Sequence, residues 1–457
     1  MVEPRLVVVG AGPAGVRCAE ALVEAGLRPV VIDEARRAGG QIYRRQPENF
    51  TRSYSTLYGS EAGRAKAVHD TFDALHGRID YRPETLVWGV GGGQVHTARG
   101  GRHEAIAFDA LILCTGAIDR LMPVKGWNLA GAYSLGAAQI ALKAQACAIG
   151  RQVVFLGSGP LLYLVAAQYV KAGACVRAVL DTSPGGRRVA ALPKLLAQPD
   201  VLWTGLALTL SLRRAGVKIF TGVQPVEIEG DPETGVEGVS FKDSRGRIRR
   251  IDCDAVGMGW HLKPETQLAD LAGCAFRFDD RSGQWVVSTD AQGRSSVDGI
   301  YLAGDGGCVR GARAAEISGR LAALAALEDL GRAVGGPVAE MPRRLAGWDH
   351  FAQGLREAFP WPAAHARALP DETVVCRCEA VTVGELREIV RRTGAREVNR
   401  AKAFSRVGMG RCQGRYCAHA AAEIIAHAAG SPVREVGRQR GQAPVKPLPA
   451  GIEEDRP

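Results

Sequence analysis

The chain has 457 residues, of which 46% are hydrophobic and 23% charged, a composition that indicates a folded protein of two or three domains and excludes a disordered or fibrous one. The formal net charge of +10 comes from basic residues that are spread along the chain without interleaved aromatic residues, so we expect no nucleic-acid partner. The eleven cysteines are an odd number, which favours a reducing compartment over a disulfide framework.

The first predicted unit is a βαβ motif. An apolar run, 6–9, leads into Gly10-Ala-Gly-Pro-Ala-Gly15 and a helical pattern, and a second strand, 28–32, ends at Asp33. In such a motif the first glycine makes the turn, the second admits a pyrophosphate to the helix N-terminus, the third allows close packing, and the acid accepts from ribose hydroxyls. A unit of the same fold without a nucleotide is the alternative. The predicted dinucleotide-binding residues here are Gly10, Gly12, Pro13, Ala14, Gly15, Asp33 and Glu34.

Three later segments are predicted to join the same site. A flexible Gly39-Gly-Gln41 follows the second strand, and two buried strands, 110–114 and 300–303, end in Thr-Gly and Gly-Asp. Ligands bind at the carboxyl end of strands in sheets of this kind. A helix predicted over 312–327 would direct its N-terminus at a flavin carbonyl. The residues added to the site are Gly40, Gln41, Thr115, Gly116, Gly304 and Asp305.

A second unit of this type is inserted into the first. Strand 153–156 leads into Gly157-Ser-Gly-Pro-Leu-Leu162, and a later strand ends at Asp181. Leucine stands where the third glycine is needed, so NAD(P) binding is doubtful, and a vestigial or partner-docking domain is an equal interpretation.

Four cysteines near the end of the chain form two close pairs, Cys376 with Cys378 and Cys412 with Cys417, separated by 33 residues. Four thiolates suit zinc or a 2Fe–2S cluster. Neither pair has the Cys-x2-Cys spacing of a zinc ribbon, and zinc brings no redox chemistry to a chain that otherwise indicates a redox protein, so we favour 2Fe–2S. Nearby glycines would let backbone N–H groups approach the sulfurs. Four buried cysteines that act as small hydrophobic residues are the alternative.

The predicted fold class is α/β, with two nested Rossmann-like domains and a small helical C-terminal domain. Thr382 and Glu385 predict a capping box at the start of a helix that runs to Arg392. We expect no signal peptide, because the first predicted strand already begins at Leu6. We also expect no membrane span, because the longest weakly polar stretch, 201–212, is too short to cross a bilayer. The predicted boundaries are 1–118 with 266–330 for the FAD-type domain, 119–265 for the inserted NAD(P)-like domain, 331–370 for a helical linker, 371–430 for the cluster domain and 431–457 for an extended tail.

These motifs resemble known families. The N-terminal motifs, with Gly39 to Arg44, resemble the two-dinucleotide-domain flavoproteins, whose fold is disulfide-reductase-like. The cysteine segment resembles the bacterioferritin-associated ferredoxin type of 2Fe–2S domain, which usually closes with Cys-x2-Cys. The Cys-x4-Cys spacing here, in Met-Gly-x-Cys-Gln-Gly-Arg-x-Cys, looks like the α subunits of bacterial heteromeric amine dehydrogenases, which include opine oxidases, D-hydroxyproline dehydrogenase and the middle subunit of hydrogen cyanide synthase. The resemblance covers 6–430.

The resemblance implies a division of labour. A separate flavin-containing β subunit, with or without a small third subunit, would oxidise the C–N bond of an opine, D-hydroxyproline or a similar amino acid. The present chain would pass the electrons to an acceptor such as a quinone or a dye. The implied cofactors are FAD or another adenine nucleotide in the first domain, a 2Fe–2S cluster on the four cysteines, and FMN at a subunit interface.

The sequence assigns no catalytic residue to this chain. It has no Cys-x2-Cys disulfide in either nucleotide domain and no Ser/His/Asp or His-Glu-x-x-His arrangement. Two other functions stay open: a self-sufficient NAD(P)H oxidoreductase that reduces a protein or quinone, which Leu162 disfavours, and a non-enzymatic iron–sulfur carrier or sensor, which the flavin-fold signatures disfavour. We expect a cytoplasmic protein that would reach a membrane through its partners.

Overall fold

The computed structural model describes residues 3–332 and 340–448. The elements of its first segment are β1 (Leu6–Val9), α1 (Pro13–Glu24), β2 (Val30–Ile32), α2 (Tyr54–Tyr58), α3 (Ala62–Ala74), β3 (Asp80–Arg82), β4 (Leu86–Gly91), β5 (Gln94–Arg99), β6 (Arg102–Ala107), β7 (Ala110–Leu113) and β8 (Ala117–Asp119). The next segment contains β9 (Ala132–Ser134), α4 (Leu135–Ala144), β10 (Gln152–Ser158), α5 (Pro160–Lys171), β11 (Cys175–Asp181), α6 (Gly185–Ala190), α7 (Leu192–Leu195), α8 (Pro199–Arg214), β12 (Lys218–Thr221), β13 (Gln224–Asp231), β14 (Gly235–Lys242), β15 (Ile248–Asp252), β16 (Ala255–Trp260) and β17 (Leu262–Pro264).

The chain then returns to the first domain and ends in a helical domain. The returning elements are α9 (Gln267–Leu271), β18 (Phe276–Asp279), β19 (Gln284–Val287), β20 (Ile300–Leu302) and α10 (Ala312–Asp329). The C-terminal elements are α11 (Glu340–Ala358), α12 (Ala363–Ala368), β21 (Val374–Cys376), β22 (Val381–Thr382), α13 (Val383–Thr393), α14 (Val398–Ser405), α15 (Ala418–Ala429) and α16 (Val433–Val436).

The first domain is built on a parallel sheet with the strand order β20-β7-β1-β2-β3. Strands β1 and β7 are continuous apolar runs that are buried on both faces, as expected for a parallel sheet covered by helices. On one face α1 and α10 pack so closely that a Cβ atom on Gly319 would lie 2.0 Å from the carbonyl oxygen of Ala14. The predicted α/β fold with a βαβ start is confirmed.

The inserted domain has its own parallel sheet in the order β12-β11-β10-β16-β9, with an antiparallel sheet β13-β14-β15 beside it. The chain enters and leaves this domain through the antiparallel pair β8 and β17, in which Ala117 pairs with Pro264. The carboxyl ends of both parallel sheets therefore lie near one connecting ribbon.

Linker helix α11 buries Trp348 and Phe351 against the nucleotide domains, and residues 333–339 of the predicted linker lie outside the described residues. In the C-terminal domain, α13 begins with the predicted capping box, because Thr382 and Glu385 each accept the other's backbone N–H. Gly394 ends this helix with φ +65°.

Segment 431–457 differs from the predicted extended tail over its described part. After Pro432, which is the N-cap residue, the chain makes the helical turn α16. The chain then crosses the first domain, where Arg438 binds Asp270 with N–O distances of 2.6 and 2.7 Å and Val445 is buried. In residues 3–332 and 340–448 no helix is both long and apolar enough to cross a membrane.

Candidate functional site

The three glycines of the first nucleotide loop serve different purposes. Gly10 has φ +107°, and a Cβ atom there would lie 2.4 Å from the carbonyl oxygen of Cys114. A Cβ atom on Gly15 would lie 1.8 Å from the carbonyl oxygen of Gly10. On Gly12 it would meet only the Cα atom of Gly40, at 3.5 Å. Gly10 and Gly15 are therefore needed to build the loop, whereas the space at Gly12, the N-cap of α1, is free for a phosphate-bearing ligand.

Asp33 holds this loop from the end of β2. One carboxylate oxygen accepts from the backbone N–H of Ala11 at 2.5 Å and the other from Ala35 at 2.6 Å. Burial raises the pKa of Asp33, and these two hydrogen bonds oppose that shift. Each oxygen keeps a second lone pair for a ribose hydroxyl. The neighbouring Glu34 is instead bound by Lys446 of the C-terminal segment.

The other predicted residues surround the same strand ends. Pro13 and Ala14 form the first turn of α1, and a Cβ atom on Gly304 would lie 2.9 Å from that of Ala14. Gly40 has φ +63° and adjoins Gly12, and Gln41 accepts from Arg44 at 2.7 Å. The structure thus places the 39–41 loop and β20 beside the phosphate loop.

Thr115, Gly116 and Asp305 lie at the neighbouring ends of β7 and β20. A Cβ atom on Gly306 would lie 2.7 Å from the Thr115 hydroxyl and 3.3 Å from the Gly116 nitrogen. The Asp305 carboxylate accepts from the backbone N–H groups of Arg310 at 2.8 Å and Gly311 at 3.0 Å, and it fixes the loop that leads into α10. Burial raises the pKa of Asp305, whose remaining exposed surface faces a cavity.

This cavity, of about 800 Å³, lies between the first domain, the inserted domain and the linker. Asp305 and Gly311 line one wall. Two buried cations that the sequence did not single out, Lys143 and Arg120, line the cavity as well. Among the described residues neither cation forms a salt bridge, although the charge of Glu423 acts on Arg120 from beyond that distance. A buried charge without a close counter-charge is costly.

Neutral groups satisfy these cations only in part. Lys143 donates to the carbonyl of Ile42 at 3.0 Å, and burial lowers its pKa to about 8. Arg120 donates to the carbonyl of Ser282 at 2.9 Å and stacks 3.9 Å from the ring centre of Trp361. Burial lowers the pKa of Arg120 to about 9, and its Nε atom has no partner. The cavity therefore suits an aromatic ligand with acceptor oxygens or negative charge.

The corresponding cleft of the inserted domain is occupied by protein groups. Leu162 is fully buried at the position of the third glycine. Asp181 accepts from the hydroxyl of Tyr163 and the backbone N–H of Ser183, both at 2.7 Å, and it also binds the guanidinium of Arg188. This guanidinium lies 4.9 Å from the ring centre of Phe359, which comes from the linker. Protein donors therefore occupy three of the four acceptor positions of Asp181, including both positions of one oxygen.

The structure brings the four predicted cysteines together. Cys417 interacts with both Cys376 and Cys412, and Cys412 with Cys378. The interaction with Cys417, together with backbone N–H groups that include that of Gly408, lowers the pKa of Cys376 to about 6 against the effect of burial. The interaction with Cys417, supported by N–H groups, likewise lowers the pKa of Cys412 to about 5.

The surroundings of the sulfurs fit a cluster. A Cβ atom on Gly410 would lie 2.2 Å from that of Cys378, so the backbone at Gly410 packs directly against the Cys378 side chain. Elsewhere, Gly408 and Gly414 have positive φ and face Gln439 of the C-terminal segment. In the described part of the chain no group of three or more His, Cys, Asp or Glu side chains is arranged to hold one metal ion. Four cysteines that interact pairwise in a row instead supply the donor set of a two-iron cluster.

The cysteine site and the cavity share a wall. His419, two residues after Cys417, packs edge-on against Trp361 with 4.6 Å between ring centres and accepts from Arg120. Trp361 also donates to Glu423 at 3.1 Å. Arg120 and Trp361 therefore line the cavity and also contact α15, the helix that follows the last cysteine.

Two family models match the chain. The model described as pyridine nucleotide-disulphide oxidoreductase matches residues 4–319, and the BFD-like [2Fe-2S] binding domain matches residues 374–427, a range that contains all four cysteines. The first match covers both nucleotide domains, so the flavoprotein and 2Fe–2S assignments are confirmed.

Curated relatives extend over nearly the whole chain. An opine oxidase subunit from Rhizobium meliloti is 39% identical over 97% of this chain and 86% of its own length. The protein of the same description from Agrobacterium tumefaciens (strain Ach5) is 38% identical over 97% and 90%. Hydrogen cyanide synthase subunit HcnB of Pseudomonas protegens is 31% identical over 97% and 96%.

Solved structures show the same fold. L-proline dehydrogenase from P. horikoshii aligns with a TM-score of 0.69 and 21% identity over 98% of this chain and 78% of that one. Thioredoxin reductase from T. acidophilum aligns with a TM-score of 0.52 and 22% identity over 72% and 99%. The chain therefore belongs to the pyridine nucleotide-disulphide oxidoreductase family, in the group that contains HcnB and the matching opine oxidase subunits, and is one subunit of a flavin- and 2Fe–2S-dependent oxidoreductase.

Proposed function

We propose that this chain is the electron-transfer α subunit of a heteromeric amine dehydrogenase. A flavin-containing β subunit would oxidise the C–N bond of an opine, D-hydroxyproline or a similar amino acid, and the α subunit would carry the electrons to a quinone or dye. The observation that carries the proposal is the shared wall, in which Arg120 and Trp361 face the cavity and contact His419 beside Cys417. This wall would set a nucleotide-flavin site next to a cluster site in one chain.

The residues present fit both cofactors. The open space at Gly12 and the free lone pairs of Asp33 suit the pyrophosphate and ribose of FAD or another adenine nucleotide. The four cysteines, Cys376, Cys378, Cys412 and Cys417, would ligate the 2Fe–2S cluster. A flavin exchanges electrons singly or in pairs and such a cluster takes one at a time, which is the chemistry that the two sites together would supply. Gly40, Gln41, Thr115, Gly116, Gly304 and Asp305 would line the path from the phosphates to the flavin ring.

The cavity would receive a flavin ring, either of FAD bound at Gly12 or of an FMN shared with the β subunit. Lys143 and Arg120 would donate to its acceptor oxygens, since both are buried and neither forms a salt bridge among the described residues. Asp305 accepts from the backbone N–H of Gly311, the N-cap of α10, and both residues line the cavity. We further propose a cytoplasmic complex that meets a membrane only through its partners.

A self-sufficient NAD(P)H oxidoreductase gains no support from the inserted domain. Asp181 is bound by Tyr163, Ser183 and Arg188, so an incoming ribose would compete with these protein donors. Electrons would therefore enter from the β subunit, not from a nicotinamide.

Dye reduction by the isolated chain, compared with the co-expressed complex, tests this function over opines, D-hydroxyproline, L-proline, sarcosine and glycine. We expect turnover of a secondary amine by the complex only, with molecular oxygen a poor acceptor. Full turnover by the isolated chain would refute the division of labour between two subunits. Rapid NADH-driven dye reduction would favour the self-sufficient reductase instead.

A further inference from the structure

Helix α8 presents three large apolar side chains to solvent. Of its sixteen residues Leu212 alone is buried. Trp203, Leu206 and Leu210 follow the i, i+3, i+7 spacing of one helix face and are 70%, 53% and 46% exposed. Val201, Leu202 and Leu212 of the same helix pack in or against the core, as expected of a surface helix. The solvent-facing stripe is therefore a second apolar face of α8.

The exposed face continues into the preceding short helices. Val189, Leu192 and Leu196 are also exposed, and together with Trp203, Leu206 and Leu210 they define what we call the α8 patch. Large apolar patches are uncommon on monomers and mark contact surfaces. The patch adjoins the proposed flavin site, because Val189, Leu192 and Leu206 also line the cavity.

The charges inside the α8 patch are matched within the chain. Lys194 binds Glu357, and Asp200 binds Arg313. Exposed arginines, Arg187 and Arg213, flank the patch. An apolar centre with an aromatic anchor and a charged rim is the anatomy of a subunit interface, whereas a membrane-surface helix carries cations along its polar face.

We propose that the α8 patch is the docking surface for the flavin-containing β subunit, with Trp203 as its anchor. This inference rests on the proposed function and deepens it by assigning the interface to α6–α8. The patch rims the cavity, so the partner that covers it would also close the flavin site from water and bring its own flavin close to Lys143 and Arg120. A second copy of this chain and a lipid surface are the competing occupants.

The test uses Trp203→Ser combined with Leu210→Ser, because neither residue lines the cavity. Trp203→Phe keeps the apolar anchor, and Ile248→Ser removes an equally exposed apolar side chain (72%) from β15, outside the patch. Affinity for the purified β subunit of the same complex is measured by interferometry, with flavin content, iron content and unfolding midpoint as folding controls. We expect about 30-fold or greater weakening for the double variant, and little change for the other two.

A second measurement does not depend on variants. Hydrogen exchange of α8 amides should slow in the wild-type complex relative to the isolated chain. Equal exchange, or wild-type affinity in the double variant, would overturn the inference while leaving the proposed function intact. A wild-type homodimer that the double variant abolishes, or flotation with anionic vesicles that it abolishes, would reassign the patch. If the wild-type chain binds no β subunit, the proposed function itself fails.

Discussion

Arg415 donates to Glu265 at 2.6 Å in an ion pair whose side chains are only 9% and 12% exposed. Glu265 directly follows β17, and its carbonyl accepts from Thr115 at 2.7 Å. Arg415 also donates to the carbonyl of Val445 at 2.5 Å. The cluster domain, the ribbon between the nucleotide domains and the C-terminal segment therefore meet at one guanidinium.

Arg415→Met should lower the unfolding free energy of the cluster domain by about 3–5 kcal/mol, because Glu265 would be left buried without a partner. Adding Glu265→Gln should recover a large part of the loss. Urea unfolding followed by cluster absorbance measures this effect, and Arg391→Met, which removes a surface pair with Glu388, is the matched control. Equal midpoints for the Arg415 and Arg391 variants would contradict the prediction.

Serine at Cys376, Cys378, Cys412 or Cys417 should remove the visible absorption and the paramagnetic signal of the reduced cluster, because serine does not replace a thiolate ligand well. Cys147→Ser and Cys175→Ser change exposed cysteines elsewhere and should leave both signals unchanged. Iron and sulfide per chain are measured after anaerobic purification. Stoichiometric zinc without iron in the wild-type chain would refute the cluster assignment.

Gly410→Ala should lower the iron content more than tenfold without removing any ligand. The new methyl group would lie 2.2 Å from the Cβ atom of Cys378, so this side chain would have to move away from the other three. Gly63→Ala, which adds a methyl group in open space, is the control. Wild-type cluster spectra for Gly410→Ala would show that the loop tolerates the displacement.

Gly12→Val and Gly15→Ala should fail in different ways. At Gly12 the added side chain occupies the ligand space, so nucleotide content should fall while the nucleotide-free chain keeps its unfolding midpoint. At Gly15 the methyl group meets the Gly10 carbonyl at 1.8 Å, so the fold itself should be destabilised. Bound nucleotide after denaturation and unfolding midpoints distinguish the two. A Gly12→Val chain with full nucleotide content would place the site elsewhere.

Lys143→Met should stabilise the nucleotide-free chain below pH 8. Burial lowers the pKa of Lys143 from 10.5 to about 8, so the folded state binds fewer protons than the unfolded state between these values. The cost of burying the charge is therefore complete below pH 8 and disappears as the pH rises toward 10.5. The gain should be roughly 1–3 kcal/mol at pH 7 and shrink by pH 10, as measured by urea unfolding against Lys242→Met. A gain independent of pH would refute the charge explanation.

The sequence predicted those parts of the site whose residues lie close together in the chain, at fixed intervals. The glycines around Gly12 and the cysteine pairs are recognisable because a loop or a metal site imposes short, fixed intervals, and Thr382 with Glu385 forms a capping box for the same reason. The structure adds the order of interactions among the four cysteines. It also shows that, of the three glycines in the first loop, only Gly12 has open space beside it.

Lys143 and Arg120 could not be predicted in this way. Their partners Ile42 and Ser282 lie 101 and 162 residues away in the sequence, and no local sequence pattern predicts contacts over such a separation. For the C-terminal segment the composition predicts an extended tail, and no local pattern indicates that Arg438 pairs with Asp270 of the first domain. The length of stretch 201–212 excludes a membrane span, but the exposure of Trp203, Leu206 and Leu210 is visible only in the folded chain.

The insertion of one nucleotide domain into the other has a consequence for synthesis on the ribosome. Strands β10 and β16 and their neighbours come from one continuous stretch, 132–260, and can fold as soon as this stretch has emerged. Strand β20 joins the first sheet only after residue 302 is made, although its partner strand β7 and the neighbouring β1 precede the whole inserted domain. The inserted domain can therefore complete its core first, whereas the first sheet keeps an unpaired edge, accessible to chaperones, until β20 has been made.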